Sequence, residues 1–524
     1  MADTVQQLLR ERLADGGVGV RFGDRERTWA AHLEEATRHA AALIALADPD
    51  RPLHVGTVLG NTPAMLTAMA AAGLGGYVLC GINTTRRGDG LARDIAVADC
   101  QILLTDAAHR HLLEGLVLPG VRVLDVDSEH WQRRQDLAGA LVPHREAAPT
   151  DTFMLIFTSG TSGEPKAVRM AHMMVPFAGS ALVARFDITA ADMCYLSMPL
   201  FHSNAVMAGW SVALTAGAAM VPATFSASGL LGDLRRYGVT YLNYVGKPLA
   251  YVLATPEQPD DHDNPLRVAF GNEAAERDIA DFGSRFGCTV SDGFGSTEGA
   301  VIITRDDDCP PGSVGRGFPG VAIYDPETLR ECPAAHFDEA GALANAREAI
   351  GEIVNTTGAG LFGGYYNDPG ATGERLRHGM YWSGDLAYRD TEGWIYLAGR
   401  TGDWLRVDGE NLACAPIERI LHRCEPVNRV AVYAVPDDVV GDAVMAAVVL
   451  RDGATLTPAE FGEFLAAQPD LSPKAWPRHV WIAEDLPATA TNKIIKRRLT
   501  EQGLDVPAGQ LWTRQPRTRD YRRV

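Results

Sequence analysis

The sequence predicts an α/β protein: a large N-terminal domain of mixed sheets with crossover helices, followed by a small, mobile α+β C-terminal domain. Helical and strand-like segments alternate along roughly the first 130 residues, and further strand-like segments extend to residue 296. Such alternation is typical of parallel sheets with crossover helices. The pattern changes near residue 400, where shorter mixed elements begin. With 524 residues, 46% of them hydrophobic, the chain can form more than one core.

The elements of the N-terminal domain follow from hydrophobic spacing. An amphipathic helix near the N-terminus is expected to end at Gly16, and a second helix covers 28–44. The remaining predicted elements are strand 54–61, helix 62–73, and strands 77–83, 101–106, 121–127, 193–202, 239–245, 266–272 and 288–296. In such sheets ligands bind in the loops at the carboxyl ends of the strands. We therefore expect a site in these loops.

The C-terminal domain is predicted to begin just after residue 400. We place the two domains at 1–400 and 401–524, with a hinge near Gly402. Pro416 is expected at the first position of a helix, where its missing N–H costs nothing. Thr457 and Glu460 form a capping box that begins another helix.

Composition and charge narrow the class of protein. A formal charge of -18 argues against nucleic-acid binding, which depends on Lys and Arg contacts to phosphate. The eight cysteines include no CxxC pair, which argues against a zinc site or disulfide scaffold and fits a reducing cytosol. We find no signal peptide and no apolar run long enough for a transmembrane segment. The sequence therefore predicts a cytoplasmic protein.

The segment FTSGTSGEPKAV at 157–168 has the composition of a phosphate-binding loop. Glycines let backbone N–H groups approach a ligand, hydroxyls donate hydrogen bonds and lysine supplies a positive charge. The spacing differs from the GxxxxGK[ST] of a Walker A loop. A plain polar loop between strands is the alternative.

Four further segments carry chemistry but are weak signals individually. DGFGSTEGA contains Glu298, a hard oxygen ligand suited to Mg²⁺. YWSGDLAY offers Asp385 as an acceptor for ribose hydroxyls, GRTGD adds Arg400, and TNKIIKRRL adds Lys493 near the end of the chain. Taken alone, an aspartate in a turn is commonly a turn residue, and a single lysine commonly faces solvent.

The joint order of these motifs resembles the adenylate-forming enzymes: acyl-CoA synthetases, luciferases and peptide-synthetase adenylation domains. TSGTSGEPK is followed by PLFH, GSTEG, GD, GRTGD and NK, and the resemblance covers almost the whole chain. The run GRTGDWLRVDGEN is most similar to fatty-acid, very-long-chain and steroid-type CoA ligases. The resemblance implies an acyl-CoA ligase that converts a bulky hydrophobic acid to its CoA thioester through acyl-AMP, using ATP and Mg²⁺.

The resemblance also implies a role for each matching position in nucleotide binding. The residues expected around the ATP phosphates are Thr158, Ser159, Thr161, Ser162 and Lys166, with Thr161 and Glu298 near Mg²⁺. Those expected to line the adenine are Gly271, Asn272, Glu273 and Phe294. Thr297 would contact the α-phosphate, and Asp385 and Arg400 the ribose.

The candidate catalytic residues are Lys493, Glu298 and His202. A carboxylate must approach an anionic α-phosphate, and Lys493 together with Mg²⁺ would neutralise that repulsion. His202 lies where the family places a residue beside the acyl pocket and the thiol route. Gly409 lies where the pantetheine arm of CoA passes, and Gly402 is at the hinge that would exchange the two faces of the small domain.

Several positions depart from the usual family pattern. Phe294 replaces a common tyrosine, Asn492 replaces the glycine before the catalytic lysine, Gly402 replaces a frequently charged residue, and Glu164 places an acid in the phosphate loop. Because most of these changes affect adenylation, a variant that mainly forms the thioester from an adenylate supplied by a partner enzyme stays open.

The sequence bears on other classes of function as well. GAGLFG at 358–363 matches a dinucleotide-binding GxGxxG, but GYYNDPG follows it and cannot begin the required helix. A serine hydrolase would need GxSxG, which the chain lacks. An enzyme that loads a carrier-protein thiol and a catalytically silent adenylate-binding protein stay open, as does a homodimer. The identity of the acid cannot be predicted from these motifs.

Overall fold

The computed structural model describes residues 2–158, 165–305, 308–339, 341, 343–400, 404–407, 410–437, 441–488, 494–507, 509–514 and 518–524. The helices α1 to α15 are, in chain order, Val5–Glu11, Trp29–Ala45, Pro63–Gly75, Gly88–Val97, Glu129–Asp136, Met174–Phe186, Ser211–Ala216, Leu230–Tyr237, Pro248–Leu253, Glu276–Phe286, Ala346–Ala349, Pro369–Arg375, Cys414–Leu421, Pro458–Ala466 and Lys496–Gln502.

The strands alternate with these helices through the first 300 residues, as predicted. The strands β1 to β27 are, in chain order, Val18–Phe22, Arg25–Thr28, His54–Val58, Val78–Gly81, Ile102–Thr105, Arg122–Asp125, Thr152–Thr158, Lys166–Ala171, Met193–Leu196, Ala219–Pro222, Tyr241–Val245, Val268–Asn272, Thr289–Asp292, Ile303–Thr304, Gly315–Gly317, Val321–Tyr324, Gly351–Asn355, Leu376–Arg377, Met380–Arg389, Trp394–Arg400, Trp404–Val407, Glu410–Ala413, Val427–Asp437, Gly441–Leu450, His479–Ile482, Leu511–Arg514 and Tyr521–Arg523.

The contacts within the chain divide it into two compact units. The first comprises Met1–Ala300 and Ala359–Arg377, and the second comprises Val301–Gly358 and His378–Val524. The predicted boundary between residues 400 and 401 stays a prediction, because Gly402 and its neighbours at 401–403 lie outside the described residues.

The first unit contains two sheets that are largely parallel. One has the strand order β13-β12-β11-β9-β10-β1-β2, and the other has the order β6-β5-β3-β4-β7-β8. Only β2 and β8 pair with their neighbours in an antiparallel sense within these two sheets. The mixed sheets with crossover helices that the sequence predicts are therefore confirmed. Strands β9, β11, β12 and β13 run in the same direction, so their carboxyl ends lie at one edge.

The second unit contains an antiparallel sheet, β14-β15-β20-β19-β17-β16, and a mixed sheet, β22-β21-β24-β25-β26-β27, in which β23 also pairs with β24. The mixed sheet packs its own core, which includes Leu405, Ile417, Val430, Phe461 and Trp512. With α13, α14 and α15, this part of the chain has the α+β character that the sequence predicts.

Local signals set several helix ends. The Thr28 side chain accepts a hydrogen bond from the Ala31 amide and caps α2, and the predicted capping box of Thr457 and Glu460 is present at α14. The first helix ends at Glu11 and not at Gly16, since Asp15 accepts the Gly17 amide at 2.8 Å in a local turn.

Helix α13 begins at Cys414, so that Pro416 is its third residue and not its first. A proline is tolerated there because the first four N–H groups of a helix have no intrahelical partner. Over the described residues, none of the helices combines the length and hydropathy needed to span a bilayer.

Candidate active site

The base of the candidate phosphate loop is formed by two antiparallel strands. Strands β7 and β8 pair so that Thr158 lies directly opposite Lys166. The predicted phosphate contacts Ser159, Thr161 and Ser162, together with Glu164, lie outside the described residues. The structure therefore places Thr158 and Lys166, the first and last of the predicted loop residues, next to each other on two paired strands.

Lys166 is largely shielded from solvent, and among the described residues the carboxylate of Glu374 lies near its amine. Its side chain is 16% exposed, and its Nζ lies 3.7 Å from the Oε2 of Glu374, whose side chain is 78% exposed. The same Nζ lies 5.3 Å from the ring centroid of Tyr365, within the range of a cation–π interaction. An exposed acid holds a lysine only weakly. A phosphate could therefore displace Glu374, while the ring holds the amine in place.

Tyr365 contacts both Lys166 and Glu298. The buried Tyr365 hydroxyl donates a hydrogen bond to the Oε1 of Glu298 at 2.9 Å and accepts one from the Nε of Arg375 at 3.4 Å. Burial, followed by the nearby charge of Glu298, raises the pKa of Tyr365 to about 12. The phenol therefore keeps its proton at neutral pH and orients the carboxylate.

The surroundings of Glu298 suit a magnesium ion whose remaining ligands are supplied by the substrate and water. Among the described residues, no group of three or more His, Cys, Asp and Glu side chains is placed to hold a metal. Mg²⁺ needs no such cage, because it commonly binds one or two carboxylates together with phosphate oxygens and water. A single carboxylate held by a tyrosine that also contacts Lys166 fits that requirement.

A chain of asparagine side chains ties together the carboxyl ends of the strands. Asn243 Nδ2 donates to Asn204 Oδ1 at 2.7 Å, and Asn204 Nδ2 donates to Asn272 Oδ1 at 2.9 Å. Asn272 Nδ2 in turn donates to the Gly293 carbonyl oxygen at 2.6 Å. The network fixes the side chain of Asn272, which was predicted to line the adenine, and links it to the turn that carries Phe294.

The two neighbours of Asn272 have distinctive backbones. Gly271 is packed so tightly that an added Cβ would overlap the carbonyl oxygen and ring of Tyr244. Glu273 is exposed and has a φ of 64°, a left-handed conformation that is uncommon for a residue with a side chain and is found at functional sites. The predicted adenine residues thus lie on a constrained segment at the end of β12, and Phe294 is half-buried after β13.

Replacing Gly271 by alanine is expected to destabilise the protein. The added methyl group would force the end of β12 away from β11, which should lower the free energy of unfolding by about 1–3 kcal/mol. Denaturant unfolding of the full chain measures this loss. Gly232→Ala is the control, because a Cβ there meets nothing within 4 Å and the residue lies in α8. Equal stability of the Gly271→Ala variant and the wild type would contradict the prediction.

The PLFHSN segment meets the GSTEG turn. Ser203 Oγ and Thr297 Oγ1 share a hydrogen bond of 2.8 Å. The ring of His202 lies 4.6 Å from that of Phe201, and its Nε2 is buried with no hydrogen-bond partner among the described residues. Burial lowers the pKa of His202 to about 4, so the ring is neutral at pH 7. A π-helix over Ala205–Trp210 follows directly, a rare conformation that often marks functional sites.

Asp385 and Arg400 are brought together in the second unit. They are opposite each other on β19 and β20, and the Nε of Arg400 lies 2.9 Å from the Oδ1 of Asp385. The aspartate side chain is 13% exposed. An arginine that holds one oxygen of a carboxylate orients the other oxygen. The pair can therefore present an acceptor to a hydroxyl group.

Lys493, Gly409 and Asn492 lie outside the described residues, so their predicted roles stay predictions. The nearest described lysine, Lys496, has its Nζ 2.8 Å from the Oε1 of Glu418.

Sequence reasoning missed Tyr365, Asn204 and Asn243. In the sequence, the segment that contains Tyr365, GYYNDPG, indicates only that no dinucleotide-binding helix begins there. Its tyrosine directly follows two glycines, which in retrospect indicates a close backbone approach. For the two asparagines we see no signal in the sequence, since their partners are 39 and 68 residues away.

Comparison with known proteins shows which family has this arrangement. The sequence model of the AMP-binding enzyme family matches residues 12–366, and that of the AMP-binding enzyme C-terminal domain matches residues 416–493. The chain is 51% identical to a medium/long-chain-fatty-acid–CoA ligase of Mycobacterium marinum, covering 96% of this chain and 97% of that protein. It is 45% identical to the steroid-22-oyl-CoA synthetase of Rhodococcus jostii, covering 95% and 91%.

Solved structures share the fold at lower sequence identity. The ATP-bound MatB of Rhodopseudomonas palustris superimposes with a TM-score of 0.83 at 24% identity, covering 96% of this chain and 99% of that one. The anthranilate CoA ligase AuaEII in complex with anthranoyl-AMP gives a TM-score of 0.83 at 20% identity, covering 95% and 97%.

Proposed function

Because the chain belongs to the AMP-binding enzyme family and is an AMP-forming acyl-CoA ligase, we propose that its substrate is a bulky hydrophobic acid of the medium- or long-chain fatty or steroid type. The acid would be joined to AMP and then transferred to CoA. The observation that carries the proposal is the meeting of Lys166 and Glu298 on the two sides of Tyr365. This cluster supplies a cation and a carboxylate at the base of a loop rich in hydroxyl groups.

The phosphate loop binds and orients the triphosphate of ATP. Thr158 and the Lys166 amine contact phosphate oxygens at the base of the loop, and Ser159, Thr161 and Ser162 donate hydrogen bonds from the loop itself. When ATP binds, a phosphate group replaces the exposed Glu374 as the partner of Lys166. This positions the β- and γ-phosphates as a leaving group, and catalysis of phosphoryl and nucleotidyl transfer depends largely on such positioning and charge neutralisation.

Glu298, with Thr161, would hold Mg²⁺. When bound, the ion neutralises phosphate charge. Tyr365 fixes the rotamer of Glu298 so that its second oxygen, Oε2, is free of the phenol. Lys493 is proposed to hold the carboxylate against the α-phosphate, and Thr297 to contact the same phosphate.

The nucleoside is held by the residues at the ends of the strands. Gly271, Asn272, Glu273 and Phe294 enclose the adenine, and Asn272 is held in one orientation by the asparagine network. Asp385 accepts hydrogen bonds from the ribose hydroxyls, and Arg400 orients its carboxylate. The rigid backbone at Gly271 reduces the entropy lost on binding.

The second half-reaction needs only that the thiol reach the acyl carbonyl. AMP is a good leaving group, so no further cation is required at the α-phosphate. Gly409 is proposed to border the pantetheine arm, and a hinge at Gly402 to bring it there after adenylation. His202 is neutral and buried, which suits a residue that shapes the acyl and thiol route without carrying charge.

Mass spectrometry tests this function. The full chain is incubated with ATP, Mg²⁺, CoA and a mixture of acids, and acyl-AMP and acyl-CoA are measured separately. The proposal expects both products from bulky hydrophobic acids. Reaction of short polar acids alone would overturn the substrate class. Acyl-CoA formed only from supplied acyl-AMP would indicate the partner-dependent variant, and transfer to a carrier thiol in preference to CoA would indicate a carrier-loading enzyme.

Replacing Tyr365 by phenylalanine is expected to slow acyl-AMP formation about 10- to 100-fold, since a hydrogen bond to a charged group is lost from a partly buried carboxylate. The retained ring still supports Lys166, so the effect isolates the hydroxyl group. Adenylation rates measured over a range of Mg²⁺ concentrations should show a higher Mg²⁺ requirement.

The neighbouring Tyr366 provides the control for that variant. Its ring lies 4.9 Å from that of His54 and 5.2 Å from the Arg169 guanidinium. Tyr366→Phe should therefore leave the Mg²⁺ requirement unchanged. If both variants lose activity equally at every Mg²⁺ concentration, Tyr365 has only a structural role.

A further inference from the structure

Lys247 is a half-buried lysine with no role in the proposed reaction. Its Nζ is inaccessible to solvent and has no hydrogen-bond partner among the described residues. The chain takes most of its positive charge from arginine; its lysines are Lys166, Lys247, Lys474, Lys493 and Lys496. Lys166 and Lys496 each lie beside a carboxylate, and Lys493 has a proposed role at the α-phosphate. Lys247 differs from them in having neither.

The backbone around Lys247 is fixed. Gly246 has a φ of 61°, and its amide donates to the Asn272 carbonyl oxygen at 2.6 Å. On the other side, the Tyr251 amide donates to the Lys247 carbonyl oxygen at 3.0 Å as α9 begins. The backbone of the turn is therefore anchored on both sides of Lys247.

This turn lies at the edge of the sheet where the nucleotide and the acid are proposed to meet. Lys247 follows β11, and its neighbour Gly246 contacts the proposed adenine residue Asn272. Asn204 Nδ2 donates to the carbonyl oxygen of Tyr244, three residues before Lys247, at 3.2 Å. The next residue towards the N-terminus, Ser203, bonds Thr297, the proposed α-phosphate contact. The turn that carries Lys247 is thus linked through neighbouring residues to Asn272 and to Thr297.

A buried amine without a partner is costly, as is a buried imidazole nitrogen without one. His202 Nε2 is such a nitrogen, and it belongs to the same PLFHSN segment as Ser203 and Asn204. A plain hydrocarbon chain would leave both nitrogen atoms unpaired. An acid with an additional oxygen near its carboxyl group would supply the missing acceptor, and a site built for a hydrogen bond rejects analogues that lack it.

We propose that Lys247 is a specificity residue that binds an oxygen atom on the acyl chain near the reacting carboxylate. The enzyme would then prefer hydroxy, keto or dicarboxylic acids over their unsubstituted hydrocarbon counterparts. This inference rests on the proposed function, since it concerns the acid that the ligase adenylates. The common chemistry is a hydrogen-bond-accepting oxygen, which a neutral or an ionised group can supply.

The test compares acids of one chain length that are unsubstituted or carry a 3-hydroxy, a 3-keto or a second carboxylate group. We measure kcat/KM for acyl-AMP formation and the thermal stabilisation that each acid confers. The wild type is expected to favour one or more of the oxygenated acids by about 10- to 100-fold. Lys247→Met should abolish this preference and leave the reaction of the unsubstituted acid unchanged or faster.

The Lys247→Met variant is expected to fold, because an apolar side chain of similar length replaces one whose buried amine has no described partner. Lys474→Met, at an exposed lysine of the second unit, is the control and should keep the preference for oxygenated acids.

The unsubstituted, hydroxy, keto and dicarboxylic acids distinguish the possible outcomes of the test. A preference for the dicarboxylic acid alone would identify an ionised acceptor, and a preference for the hydroxy or keto acid a neutral one. Equal loss with every acid would overturn the proposal, because Lys247 would then serve the reacting carboxylate or the fold. An unchanged preference in Lys247→Met would overturn it as well.

Failure of the proposed function is recognised separately. If the wild type adenylates none of the acids, the proposed function fails. Selective thermal stabilisation by an oxygenated acid, lost in Lys247→Met, would then still support the binding site, and equal stabilisation by all acids would refute it.

Discussion

Replacing Lys493 by alanine is expected to slow acyl-AMP formation about 10²- to 10³-fold and to leave thioester formation from supplied acyl-AMP unchanged. The size of the loss is that of removing one group that stabilises developing charge in a site shielded from water. The selectivity follows from the chemistry. Two anions must meet in the first half-reaction, whereas a thiol attacks a neutral carbonyl in the second. Pyrophosphate release and CoA-thioester formation, assayed separately, measure the two steps.

Lys496 offers a matched control in the same segment. Its amine pairs with Glu418 at 2.8 Å, so Lys496→Ala removes a lysine whose role in the structure is already known. We expect that variant to affect both half-reactions to the same degree through stability. Equal loss of the two steps in Lys493→Ala, or a selective loss in Lys496→Ala, would contradict the assignment of Lys493.

Replacing Glu298 by glutamine is expected to reduce adenylation by a similar factor, about 10²- to 10³-fold, and to raise the Mg²⁺ concentration needed for half-maximal rate. Glutamine keeps the shape of the side chain, and its carbonyl oxygen can still accept the Tyr365 hydroxyl. What is lost is the negative charge that a hard cation requires. A titration of ATP–pyrophosphate exchange with Mg²⁺ measures both effects.

Glu374→Gln is the control for this change. Glu374 is an exposed carboxylate 3.7 Å from Lys166, and the proposal has phosphate displace it. Its loss should leave the Mg²⁺ requirement unaltered and change the rate little. A normal Mg²⁺ requirement in Glu298→Gln would rule out Glu298 as the magnesium ligand.

These two large effects fall on residues that the sequence singled out, and the reason is chemical. Lys493 and Glu298 each occur in a short motif whose order along the chain is specific to one family. Tyr365, by contrast, acts on a residue 67 positions away. The pattern around it predicts a turn and says nothing of the carboxylate that the folded chain brings to its hydroxyl group.

The same contrast holds for Lys247. In the sequence it is one lysine in a turn after a strand, and such residues commonly face solvent. Its buried amine becomes visible only when the segment after β9 and the end of β12 are packed against the end of β11. The energetic cost of leaving this buried nitrogen unpaired can be recognised only when that packing is known.

The sequence alone determined the alternation of strands and helices and the family to which the chain belongs, and it predicted a phosphate loop between Thr158 and Lys166. These depend on local spacing and on motif order, which are properties of the chain itself. The tertiary structure decided that β9, β11, β12 and β13 end at one edge, that asparagine side chains join those ends, and that Tyr365 reaches Glu298. Such contacts depend on which strands become neighbours, and the packing of the whole sheet selects that order.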